Sequence, residues 1–143
     1  MKQIPLQQQN CLNSTLKRVL KEQEFQKPFN TDMVRKNKNK IIPLMLFTKM
    51  GKPFSATILD KHYGCVVSPF FRIVNFDEKT GCVILSVLIP IDMEGCPVDL
   101  CSDIYSLLTT KECITIGISC LCGVELLPPC LVNRFIPPDE HKC

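Results

Sequence analysis

Cysteine is the residue type here with chemistry to offer: there are ten in 143 residues, and Cys113, Cys120, Cys122 and Cys130 crowd into one stretch, CITIGISCLCGVELLPPC. At about seven per cent, thiols fall just under the density of a small disulfide scaffold. Three uses compete for them: disulfide formation, metal ligation, and burial as small apolar groups. Cys96, Cys101, Cys120 and Cys122 spell C-x4-C-x18-C-x-C, a four-thiolate set for zinc, although its close pairs lack the C-x2-C spacing of ribbons and knuckles. Residues i and i+2 of a strand project to one side, so Cys120 and Cys122 share either an ion or a place in the core. His62 and Cys65 are close in sequence, as a catalytic pair or two ligands would be, but Gly64 marks an ordinary loop and no acid is placed to orient the imidazole. With two His in all and no GxSxG, phosphate loop or HExxH, the chain lacks the usual carriers of acid–base chemistry and reads as a non-enzyme. No cofactor is expected, zinc being the alternative.

The elements that must hold these thiols are mostly strands. In the cysteine stretch Ile114, Ile116, Ile118, Cys120 and Cys122 fall on one face and Cys113, Thr115, Gly117, Ser119 and Leu121 on the other, which predicts a half-buried central strand broken near Gly123 and Pro128-Pro129. Ser68 to Val74 and Cys82 to Ile89 flank Asp77-Glu78-Lys79-Thr80-Gly81 and form the clearest hairpin. Ile41 to Thr48 is expected to pair with Pro53 to Leu59 across the turn at Lys49 to Lys52. Asp103 to Leu108 is expected to make a helical turn, and Leu131 to Ile136 a last edge strand. Before all of these, Asn10 to Phe25 carries Leu12, Leu16, Val19, Leu20 and Phe25 along one stripe, with Lys17, Lys21, Glu22 and Glu24 opposite, and predicts an amphipathic helix capped by Asn10 or Asn13. So short a stripe needs a tertiary or subunit partner to be stable. The sequon Asn13-Ser14-Thr15 is read as chance.

The resulting fold class is mainly β: a single-domain antiparallel β-sandwich, jelly-roll-like, with an N-terminal helical arm. Residues 1–40 are assigned to the arm and a polar linker, 41–136 to the β-sandwich domain and 137–143 to a C-terminal tail. A chain of this length buries a core without crosslinks. The excess of three positive charges comes largely from the linker, where no aromatic interleaves, so nucleic acid is not an expected partner. No apolar run reaches the length of a membrane span and no lipidation box is present, so neither is a membrane. MKQIPLQQQNC has a single Lys and no apolar run of secretory length, which predicts synthesis in a reducing cytosol. Thiols so dense in that compartment mean metal binding, catalysis or delayed oxidation.

Four segments carry a family likeness: IPLMLFTKMGKPFSATI, SPFFRIV, CVILSVLIPIDMEG and KECITIGISCLCGVELLPPCLV, with CLNSTLKRVLKEQE before them. Together they resemble the CotY, CotZ and ExsY group of spore-surface proteins, from about Cys11 to about Val132. The resemblance implies a structural, self-assembling protein of the outer coat, crust or exosporium, made reduced in the mother-cell cytosol and hardened by disulfides on the spore. It implies a homo-oligomer, in a hexameric lattice or other ordered array, among other spore coat proteins. By position it carries over Cys11 in the helix, Cys82 ahead of the LIPID segment, and Cys113, Cys120 and Cys122 in the central strand. The sequence departs from that group in its linker, where Lys and Asn stand in place of cysteines, and in a tail without a His-rich end. Flexible ends beside a repeating interface favour intermolecular pairing, which makes Cys11 and Cys143 the leading intersubunit candidates and Cys65 the third. Cys82, Cys96, Cys101, Cys113, Cys120, Cys122 and Cys130 are left as disulfide or buried-thiol candidates of the β domain.

Overall fold

The computed structural model describes residues 6–25, 40–99 and 102–137. The linker from Gln26, the side chain of Phe25, Cys101 and nearly all of the tail, Cys143 included, lie outside the described residues. Among the described residues one helix, α1 (Leu6–Phe25), is followed by seven strands: β1 (Leu44–Thr48), β2 (Ala56–Asp60), β3 (Gly64–Ser68), β4 (Phe70–Asp77), β5 (Cys82–Ile91), β6 (Ser106–Gly117) and β7 (Leu121–Leu126). All strand pairs are antiparallel; β6-β5-β4-β1-β7 form one sheet and β2-β3 a separate hairpin. The class is therefore the expected one, mainly β with an N-terminal helix.

Alternation along the strands sorts the apolar residues onto two faces. Leu44, Leu46, Phe71, Ile73, Val83, Leu85, Val87, Ile89 and Ile91 build the main core, and α1 joins it from the same chain through Leu12, Leu16 and Val19. These helix positions recur at intervals of four and three, so they make one stripe, while Lys17, Arg18, Lys21, Glu22 and Glu24 face water. The helix begins at Leu6, earlier than expected, so Asn10 and Asn13 lie inside it and do not cap it. The β2-β3 hairpin adds Ala56, Ile58 and Val66 to the same core. On the opposite face Met45, Phe70, Leu88 and Leu107 form a smaller cluster under Leu127 and Leu131.

The sheet cannot be flat. β6 and β7 stand at the two ends of the strand order yet are joined by the three residues of a 3-10 turn, Ile118–Cys120. Four inter-strand spacings come to about 19 Å, whereas the four residue steps from Gly117 to Leu121 reach at most about 14 Å. The sheet therefore curls on itself, which is consistent with a sandwich or jelly roll. The curl is released between β4 and β1, which pair only at Leu44 and Phe71. There α1 fills the gap: Gln23 donates from Nε2 to the Ile73 carbonyl at 2.9 Å and accepts the Ile42 N–H on Oε1 at 3.1 Å. Replacing Gln23 with Leu leaves both backbone groups unpaired and is expected to lower stability by about 1–3 kcal/mol in urea denaturation. A loss under about 0.5 kcal/mol would mean that water replaces the amide.

Four further sequence expectations change. Pro53 to Leu59 does not return along β1: Pro53 makes one bridge to Phe47, and β2 pairs instead with β3 across the Lys61–Tyr63 turn, where Gly64 supplies a φ of 78°. Asp103 to Leu108 is no helical turn, because Ser106 already opens β6 opposite Ile91. The cysteine stretch is not one central strand but the end of one edge strand and the whole of the other, divided at Ile118–Cys120. Leu131 to Ile136 is not a strand. After a 3-10 turn at Pro129–Leu131 the chain runs toward β6, where Val132 bridges Leu107, Asn133 donates its N–H to the Leu107 carbonyl, and Arg134 donates its N–H to Ser106 Oγ. The Ser68-to-Val74 and Cys82-to-Ile89 hairpin stands as read, with Gly81 at φ 73° closing its turn. Gly81 also accepts the Ile118 N–H at 2.7 Å, and a Cβ there would stand 3.3 Å from Ile118 Cγ2, so the turn is fitted to the β6–β7 connection.

Candidate crosslinking surface

The thiols are presented outward. Cys11, Cys65, Cys113, Cys120, Cys122 and Cys130 are free and exposed, and Cys82 is free and half-buried. Free cysteine is ordinarily among the most buried residue types, so six exposed thiols on one domain are a distinctive surface. The burial alternative is thereby corrected for Cys113, Cys120, Cys122 and Cys130: none of them fills the core.

Each position has a local cause. Cys11 lies on the solvent side of α1, one residue ahead of buried Leu12. Cys65 opposes Leu59 on the outer face of the β2-β3 hairpin, whose inner face holds Ile58 and Val66. Cys82 opposes Gly117 and Cys113 opposes Ser86, so the two thiols share a face of the β5-β6 ladder four residues apart. That offset is about 13 Å, well beyond the roughly 7 Å between Cα atoms that a disulfide tolerates. Cys122 donates its S–H to the Thr48 carbonyl at 2.9 Å, beside the register shift between β1 and β7. Cys120 and Cys130 sit in the two 3-10 turns. Nowhere in the described ladders does one cysteine face another.

Cys96 differs, since it is disulfide-bonded. Asp92, Glu94 and Cys96 form the group of possible ligands close enough to share an ion among the described residues. A disulfide sulfur is not a thiolate donor, however, and Asp92 Oδ1 already accepts the N–H groups of Glu94 and Cys96 at 2.9 Å each. Neither Cys120 nor Cys122 belongs to that group, so the four-thiolate zinc set is not assembled by the residues described. At the other candidate pair, Asp60 Oδ2 accepts the N–H groups of His62 and Tyr63, and the His62 ring meets Tyr63 edge-on at 4.5 Å, which is the architecture of a tight turn. Burial, helped by Asp60 and Asp92, raises the Tyr63 phenol above its ordinary pKa. Asn13 keeps its side-chain oxygen buried without a hydrogen-bond partner among the described residues.

The sequence profile of spore coat protein Z matches residues 1–129, nine-tenths of the chain. The chain belongs to the spore coat protein Z family. Among curated proteins, spore coat protein Z of Bacillus subtilis (strain 168) is similar at 28% identity over 101 residues, covering 65% of this chain and 67% of that protein. No solved structure matches it. For this spore coat protein Z relative the informative feature is one that sequence spacing did not give, namely the outward direction of nearly every free thiol. Part of the signal was present: Cys65 alternates with Val66, and Cys113 with Ile114, but alternation identifies two faces without saying which one is wet.

Proposed function

We propose that this member of the spore coat protein Z family is a non-enzymatic structural unit of the spore surface that assembles with copies of itself and is then fixed by intersubunit disulfides. The observation that carries the reading is the set of six exposed free cysteines on a domain whose core closes without them. Oxidation of such thiols joins subunits only where assembly has already placed two of them within bonding distance. Cys11, Cys65 and Cys143 are the proposed leading crosslinkers, and other spore coat proteins the further partners. Synthesis in the mother-cell cytosol and oxidation after its loss would order these events. The layer formed is the outer coat, crust or exosporium.

Contacts come before crosslinks in this reading. Protein kept reduced is expected to retain its β-sheet circular dichroism spectrum and to form ordered sheets or oligomers at high concentration, visible by electron microscopy. Oxidation should then convert these to species that resist detergent without reductant. Protein that stays monomeric at high concentration in both redox states would sink the proposal. Elemental analysis of reduced protein tests the zinc-stabilised alternative, which requires stoichiometric metal.

A further inference from the structure

We infer that the outer edge of β6 from Cys113 to Gly117 docks antiparallel against the same segment of a second copy of the chain, centred on Thr115. The inference rests on the self-assembly proposed above and names one of its contacts. β6 ends the strand order, so one row of its backbone N–H and C=O groups faces outward. Val132 and Asn133 engage that strand at Leu107 and Thr109, and among the described residues no strand pairs beyond them. The other edge strand, β7, is flanked by α1. Natural edges are protected by proline, bulges or charges, yet Cys113-Ile114-Thr115-Ile116-Gly117 contains neither proline nor charge.

Length and sequence both point to a second copy as the occupant. The β5-β6 ladder runs without interruption from the Cys82–Gly117 pair to the Ser86–Cys113 pair. A register shift opposite Val87 precedes it and the 3-10 turn at Ile118 follows it, so the straight edge is five residues long with Thr115 at its middle. A two-fold interface must be self-complementary, and Ile114-Thr115-Ile116 reads the same in both directions. In this register Ile114 opposes the second copy's Ile116 on the core side, extending cover over two half-buried side chains that pack against the main core. Thr115 opposes its own copy on the other side. Lys111 and Glu112 fall outside the paired segment, whereas centring on either would set like charges face to face. Five paired residues make a small contact, well under the roughly 1,200 Å² of a stable complex, so this edge acts as one weak link among several in an array. The two Cys113 residues lie four positions apart across the junction, about 13 Å, and do not bond to each other.

The full-length chain with Cys113→Ser and Thr115→Cys, gently oxidised and mapped by mass spectrometry, is expected to give a disulfide between the two introduced thiols. Thr115→Lys, at an exposed position, is expected to raise the self-association constant for dissociation about tenfold in sedimentation of reduced protein, with partial recovery at high salt. A Cys113-to-Cys113 disulfide in unaltered protein, or an unchanged dissociation constant in Thr115→Lys, overturns the inference and leaves self-assembly standing. Unaltered protein that never associates removes both.

Discussion

Serine in place of Cys11, Cys65, Cys113, Cys120, Cys122, Cys130 and Cys143 together is expected to abolish most of the covalent ladder on a non-reducing gel while the folded domain persists. Six of these thiols are exposed and free, and substitutions at such surfaces usually change stability by less than about 0.5 kcal/mol each, in either direction. Cys122 donates a thiol hydrogen bond to the Thr48 carbonyl, and serine keeps a donor there. The thermal midpoint should therefore move by no more than about 14 °C. Reduced assemblies should look unchanged by electron microscopy, because the substitutions remove bonds formed afterwards. Changing only Cys11, Cys65 and Cys143 should remove the larger part of the ladder. If the ladder is instead untouched by that triple change, the crosslinks belong to the β6–β7 thiols. Survival after all seven changes would assign them to Cys82 or to exchange at the Cys96 disulfide, and unfolding would make the thiols structural.

Phe71→Ala is expected to cost about 3–5 kcal/mol, enough to consume much of a typical stability of about 5–15 kcal/mol. Phe71 is fully buried, stacks on Phe54 at 5.6 Å between ring centroids, and makes the sole pair joining β4 to β1. Loss of the ring opens a cavity where the two parts of the sheet are held by least backbone bonding. Urea denaturation should show a lowered midpoint, with a reduced m-value if β1 and β7 detach before the rest. A loss below about 1.5 kcal/mol would mean that Phe54 and the helix collapse into the space.

Much of this architecture was legible in the residues. Leu12, Leu16 and Val19 gave the helix by spacing, and Asp77 to Gly81 between two apolar runs gave the hairpin, since both signals are local. The pairing of β1 was not, because its partner β7 lies far along the chain and the nearer apolar run, Ala56 to Leu59, is equally strand-like. Ser106 and Leu107 looked helical for want of knowledge that Ile91 and Pro90 stand opposite. The candidate surface was readable as a set of thiols but not as a direction. Exposure of Cys120 depends on a 3-10 turn forced by the short link between two distant strands, a tertiary demand that no window of sequence contains.

That same connectivity gives synthesis an order. β4, β5 and β6 pair with chain neighbours, but β1 waits for β7: Thr48 and Leu121 are 73 positions apart and Leu44 and Leu126 are 82 apart. At translation rates of about 5–20 residues per second the interval is roughly 4–16 s. Through it Leu44, Met45 and Leu46, all buried in the finished domain, have no strand partner on the β7 side. The segment that ends the wait also brings Cys122, whose thiol bonds to the last carbonyl of β1. Closure of the β1–β7 ladder and arrival of that thiol at its place on the surface are thus a single event, and a chain that ends before β7 does not display the full pattern of surface thiols.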